Sequence, residues 1–277
     1  MPSSVDLTGR VILVTGASRG IGHAVALAAA RAGAGIIITG RTLGALEELD
    51  DAITADGGHA TIVEHDLRDT PALPRLAAAI HERWGRLDGL VANAGMLGVL
   101  TPLSHLEPDV WDDTIAVNLT AQWHLIKAME PLLVAAPAAR AVLVSSGAAS
   151  GSYPFWGAYA VSKAGLEAMG RVWAGETEQT NLRINMINPG GTATSMRAEA
   201  FPGEDPQTLP TPDDIASAFL QLLSADCPEH GQLFKARDML GLYAAPQAKA
   251  KRLESGLHMM AQTIWHCRNF RCQILAQ

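Results

Sequence analysis

Six short apolar runs recur along the chain, separated by longer stretches of helical period, and this alternation restricts the fold more than any other feature. The runs are VILVT (11–15), GIIIT (35–39), ATIVE (60–64), LDGLVAN (87–93), AVLVSS (141–146) and LRINMIN (182–188). They are continuously apolar rather than alternating, the pattern of parallel strands covered on both faces. Parallel strands need crossover helices, and the periodicity predicts them over 21–32, 43–55, 70–84, about 108–135 and about 157–180. Strand, helix, strand in regular succession predicts an α/β class, a doubly wound parallel sheet with helices on both faces.

With 277 residues, 48% of them hydrophobic, the chain can fill the core of one large domain, taken as residues 1–240. The formal net charge of −7, without a lysine or arginine run, offers no footprint for nucleic acid. The start, MPSSVDLTGR, lacks the order of a signal peptide, and the most apolar stretch, 24–38, is broken by Arg31. A soluble cytoplasmic protein with no membrane partner is the expectation. Three cysteines, Cys227, Cys267 and Cys272, form no disulfide framework, and with His258 and His266 they match no metal-ligand spacing, so no metal is expected. Four prolines between 202 and 212 suggest a lid, and Thr211-Pro212-Asp213-Asp214 opens a further helix.

The first run leads into TGASRGIG, with Gly16, Gly20 and Gly22 at a strand-to-helix turn. Glycines there permit a sharp turn and close approach of a pyrophosphate to the helix N-terminus, where free N–H groups favour negative charge. An ordinary tight turn is the alternative for this motif in isolation. Tyr159 and Lys163 share one helix face, one turn apart. A phenol titrates near ~10, too high for proton transfer at neutral pH, and a neighbouring ammonium would draw that value down. A solvated Tyr and Lys is the plainer reading of the pair alone.

Six features in order carry a resemblance: the glycines at 16–22, Asn93-Ala94-Gly95, Asn118 within a helix, Ser146, Tyr159-x-x-x-Lys163, and Pro189-Gly190. Together, over residues 7–235, they resemble the short-chain dehydrogenase/reductase family, with its Rossmann-type sheet of about seven strands. The stretch from Asn188 to Ile215 resembles its YciK-type bacterial branch. The resemblance implies an oxidoreductase that moves a hydride between a nicotinamide cofactor and a carbonyl or alcohol. Ser146 and Tyr159 would hold the substrate oxygen, and Tyr159 would act as general acid/base. Lys163 would hold the nicotinamide ribose, and Asn118 would distort its helix and help hold a water of the proton relay.

Cofactor contacts are implied for Gly16, Ser18, Arg19, Gly20, Ile21 and Gly22, for Asp66 and Leu67 at the adenine, and for Asn93, Ala94 and Gly95 beside the adenosine ribose. Tyr159, Lys163, Pro189, Gly190, Thr192 and Thr194 would meet the nicotinamide end, Thr192 replacing the more usual aliphatic residue. The second strand ends in Gly40-Arg41 rather than an acidic residue. Arg19 and Arg41 suit a 2′-phosphate, so NADP(H) is expected over NAD(H). A solvated Arg41 and a turn-capping Asp66 remain the alternatives.

Met96, Tyr153, Phe155, Trp156 and Met196 fall on loops near the expected pocket and suggest an apolar or aromatic carbonyl substrate. The resemblance also implies a homodimer or homotetramer built through the helices near 108–135 and 157–180. Residues 241–277 lie outside it and carry net +4, leaving −11 for the rest. Leu253, Leu257, Met260 and Ile264 there form a helical stripe, though a poorly ordered tail is the alternative. Two other function classes stay open: a non-catalytic NADP(H)-sensing regulator, and an interaction protein acting through the basic tail.

Overall fold

In the computed structural model, residues 5–242 are described. Seven parallel strands form one sheet in the order β3-β2-β1-β4-β5-β6-β7. They are β1 (Val11–Thr15), β2 (Gly35–Gly40), β3 (His59–Glu64), β4 (Gly89–Ala92), β5 (Arg140–Val144), β6 (Arg183–Asn188) and β7 (Leu233–Lys235). The chain leaves β1 toward β2 and β3, then returns to β1's other side with β4. The order therefore reverses between β1 and β4, and a crevice opens there beyond the strand C-termini.

The main helices are α1 (Gly20–Arg31), α2 (Leu43–Ala55), α3 (Leu73–Trp84), α4 (Pro108–Ile115), α5 (Ala121–Val134), α6 (Gly157–Glu176), α7 (Ser195–Ala200), α8 (Pro212–Leu223) and the short α9 (Ala236–Met239). Helix α1 packs against α2 and α8, and α3 packs against α5. The core between α3, α5, α6 and the sheet is drawn from the apolar runs, with Leu13, Leu90, Leu143, Leu166 and Met186 all fully buried. Strands β4 and β5 are buried throughout, as continuous apolar runs require, whereas β3 lies at the sheet edge and is half-buried.

Two expectations need correction. The continuous helix read from periodicity over 108–135 is interrupted by a π-helical turn, Ala116–Thr120, the local distortion that the resemblance implied for Asn118, whose amide turns inward to bond outside the helix. The helix begun at Gly157 ends at Glu176, short of 180, where the Thr177 hydroxyl donates to the Trp173 carbonyl. The seventh strand that the resemblance implied is β7, three residues with a half-exposed centre and no apolar run to announce it. The capping box at the start of α8 is present: Asp214 N donates to Thr211 Oγ1 and Thr211 N to the Asp214 carboxylate.

Of the three cysteines, Cys227 is buried, its thiol bonded to Glu229 and pushed up to about 11, chiefly by burial. The tail beyond residue 242, with its stripe and the other two cysteines, lies outside the described residues. Among the described residues no helix is long and apolar enough to cross a membrane, and no group of three or more potential ligands could hold a metal.

Candidate active site

The crevice between β1 and β4 widens into a cleft of about 270 Å³ that runs from Arg41 and Asp66 at one end to Tyr159 and Met196 at the other. Its floor is the glycine turn. Gly16 and Gly20 have φ of +67° and +60°, a left-handed conformation that side chains resist. Gly22 serves a different purpose: a Cβ there would lie 2.4 Å from the Gly16 carbonyl oxygen and 2.5 Å from Asn93 Nδ2. It lets α1 close onto the turn and does not line the cleft. The N-cap residue of α1, Arg19, offers no side-chain hydrogen bond to the helix, so its first N–H groups keep their capacity for an anion.

Asn93 braces this turn from below, donating from Nδ2 to the carbonyls of Thr15 (2.9 Å) and Gly16 (3.1 Å). Thr15, absent from the sequence-based assignments, completes the brace. Its hydroxyl donates to Val91 O and accepts from the backbone N–H groups of Asn93 and Ala94. Ser18, Arg19, Ile21, Ala94 and Gly95 line the cleft above it. At the far end stand Arg41, Asp66 and Leu67. The Asp66 carboxylate accepts from Arg68 Nη2 at 2.7 Å, and this bond holds its pKa below the usual carboxylate range. His65, also missed, lines the same end, its pKa lowered by burial.

At the other end, Ser146 stands two residues beyond β5 in extended conformation, and its Oγ accepts from Ala148 N at 3.2 Å. Tyr159 and Lys163 enter from the first turns of α6, both buried. The Tyr159 ring packs on Leu97 and Ala148 and stands edge-on to Trp156 with centroids 5.7 Å apart. Burial raises the phenol's pKa above its ordinary value, and a hydrogen bond with Ser146 works against that rise. The expected pull of the ammonium does not set the outcome here. Lys163 Nζ, 5.9 Å from the ring centroid, donates to the Val144 carbonyl at 2.7 Å, and burial lowers its own pKa to about 8.

Asn118 is fully buried behind this group and outside the cleft lining. Its Oδ1 accepts from Met96 N, and its Nδ2 donates to Met96 O (both 2.8 Å) and to Ser162 Oγ (3.1 Å). The π-helical turn is the geometry that frees it to do so. One turn on, Gln122 Nε2 donates to Ala94 O and Val117 O, tying the Asn93–Gly95 turn to the same distortion. Neither Ser162 nor Gln122 was assigned from the sequence, because a lone polar residue inside a helix gives no sign of its partner.

Pro189, Gly190, Thr192 and Thr194 line the cleft after β6. Arg237 donates to the Gly191 carbonyl, and Thr194 caps α7 by accepting from Arg197 N. Of the five residues expected around a substrate, Met96, Trp156 and Met196 line the cleft. Tyr153 and Phe155 do not: they are 47% and 57% exposed, and the structure supplies Leu97, Val117 and Ala200 instead.

Residues 10–205 match the sequence model of the short chain dehydrogenases. The oxidoreductase YciK of Escherichia coli K12 is 43% identical over 228 residues, covering 81% of this chain and 90% of that protein. The 0.95 Å structure of E. coli YciK superposes with a TM-score of 0.82 at 41% identity, over 86% of this chain and 98% of that one. A short chain dehydrogenase of E. coli CFT073, solved as a complex with NADPH, gives the same TM-score of 0.82 at 41% identity, over 85% of this chain and all of that one. The turn, the strand order and these likenesses agree: the chain belongs to the short-chain dehydrogenase family, in its YciK-type branch.

Proposed function

We propose that the protein is an NADP(H)-dependent oxidoreductase that interconverts a carbonyl compound and its alcohol. The observation that carries this reading is the convergence of Ser146, Tyr159 and Lys163 in a cleft that Arg19 and Arg41 also line. A dinucleotide fits the residues present. The left-handed glycines leave the turn open to a pyrophosphate, the N-terminus of α1 is free of a side-chain cap, and the end of β2 carries Gly40 and Arg41 rather than an acidic residue. The related CFT073 dehydrogenase in complex with NADPH supports the same choice.

When bound, the cofactor would supply or accept the hydride. Ser146 and Tyr159 donate hydrogen bonds to the carbonyl oxygen as it gains charge, and Tyr159 gives it a proton. In the reverse direction Tyr159 accepts that proton. Lys163 holds the nicotinamide ribose and adds positive charge behind the phenol. Asn118 keeps the backbone at Met96 and the start of α6 in register with one another. The apolar lining from Leu97, Val117, Trp156, Met196 and Ala200 favours a carbonyl with an apolar or aromatic body. Exposed Trp123 on α5 and Val161 and Val172 on α6 support assembly into a homodimer or homotetramer across these helices.

The experiment is a panel of aldehydes, ketones and quinones followed by loss of reduced-cofactor absorbance, with NADPH and NADH in parallel. Tyr159→Phe is expected to abolish turnover of any substrate found while leaving NADPH affinity within about twofold. An active Phe variant would remove Tyr159 from its role. NADPH binding without turnover of any carbonyl would favour the sensing regulator.

A further inference from the structure

Glu167 is a buried carboxylate on α6 that the proposed reaction leaves without a task. Its Oε1 accepts from Ser145 Oγ at 2.6 Å, and its Oε2 accepts from Arg171 Nη2 at 3.3 Å. It stands one helical turn beyond Lys163, which donates to the carbonyl of Val144 at 2.7 Å. Two successive turns of α6 therefore grip two successive residues, Val144 at the end of β5 and Ser145 just beyond it. The Ser145 N–H is spoken for as well, donating to Ile187 O of β6 at 2.7 Å. Ser145 is held from both its backbone and its side chain, and Ser146, next in an extended chain, lines the cleft with Tyr159.

Stability alone is a poor reason for this arrangement, since an apolar pair of similar volume in place of a buried carboxylate is often neutral or favourable. A short charge-assisted bond is a good reason where position matters. In the reaction proposed above, on which this inference rests, Lys163 must also serve the cofactor ribose and Tyr159. The grip by Glu167 carries no second duty. We infer that Glu167 is a positioning residue: through Ser145 it fixes the strand end from which Ser146 reaches the substrate oxygen, and ties it to the helix that carries Tyr159 and Lys163.

The test uses the full chain and four variants: Glu167→Leu, Glu167→Gln, Ser145→Ala and Arg171→Ala. Amide hydrogen exchange of the segment 144–148 reads the anchor directly. Exchange there should accelerate about tenfold or more in Glu167→Leu and Ser145→Ala and stay near wild type in Glu167→Gln, whose amide oxygen still accepts from Ser145. With a substrate from the carbonyl panel, kcat should fall about 10- to 100-fold in the first two, with NADPH affinity nearly unchanged. Glu167→Gln should recover most of it, and Arg171→Ala should keep both readouts, since the guanidinium meets the oxygen that Ser145 does not use.

Wild-type exchange and kcat in Ser145→Ala, or an equal loss in Glu167→Gln and Glu167→Leu, would overturn the inference. Should Glu167→Leu fail to fold, Ser145→Ala breaks the same bond from its other end. If wild-type protein reduces no carbonyl, the proposed reaction falls, while accelerated exchange that Gln rescues still supports the anchor.

Discussion

At the scale of single residues, the glycine turn and the Tyr159 helix obey different constraints. Gly22 has no room for a methyl group, because its Cβ would press on a backbone oxygen and on Asn93, which is itself pinned by two carbonyls. Gly22→Ala is expected to lose about 1–3 kcal/mol of stability, read from denaturant unfolding, and to weaken NADPH binding in a fluorescence titration. Lys163 poses an electrostatic problem instead. Its pKa of about 8 in the folded protein lies below the ordinary lysine value of 10.5, so between those limits the unfolded chain binds more protons and stability rises with pH. Below pH 8 the fold carries a buried ammonium. Lys163→Met removes that cost, so its gain in stability over wild type should be largest below pH 8 and shrink toward pH 10. Melting curves at stepped pH give the comparison, and a constant difference would contradict the assignment. Tyr159, its pKa raised by burial, enters with opposite sign only above about 10.

At the scale of elements, close approach decides what α6 can do. The helix lies so near the sheet at Gly170 that a Cβ would come within 2.6 Å of Met186 Sδ and 2.8 Å of Leu143 Cδ1. Both neighbours are fully buried and have no free space to swing into. Valine in place of glycine gains only ~0.3 kcal/mol in helix propensity. Overpacking costs about 1–3 kcal/mol, so Gly170→Val should be less stable by about 2 kcal/mol. Calorimetry should show a melting temperature lower by roughly 4–8 °C. The π-helical turn at Ala116–Thr120 is the second device at this scale, and helical periodicity alone cannot reveal it. An extra residue per turn leaves the apolar spacing on either side nearly intact. Only the partners of Asn118 on Met96 and Ser162 show why the register slips there.

For the molecule as a whole, the strand order brings the glycine turn and the Tyr159 helix to one cleft, so cofactor binding should stabilise the entire domain. Ligand at 100 times its dissociation constant adds about 2.7 kcal/mol. Thermal shift with NADPH should therefore exceed that with NADH at equal concentration, and Arg41→Ala should narrow the gap by lowering the NADPH response alone. Equal shifts in wild-type protein would argue against a 2′-phosphate site at Arg19 and Arg41. The sequence by itself determined the sheet's parallel character and the place of the glycine turn, because strand burial and turn conformation are local and leave periodic marks; it singled out Ser146, Tyr159 and Lys163 only through the family resemblance. It could not decide whether the ammonium or burial governs the Tyr159 phenol, which residues brace the turn, or that Tyr153 and Phe155 stand outside the cleft. Those depend on side chains far apart in sequence, whose meeting is fixed only in the folded molecule: Thr15 and Asn93 when β1 pairs with β4, Lys163 with Val144 and Glu167 with Ser145 when α6 packs on the strand ends.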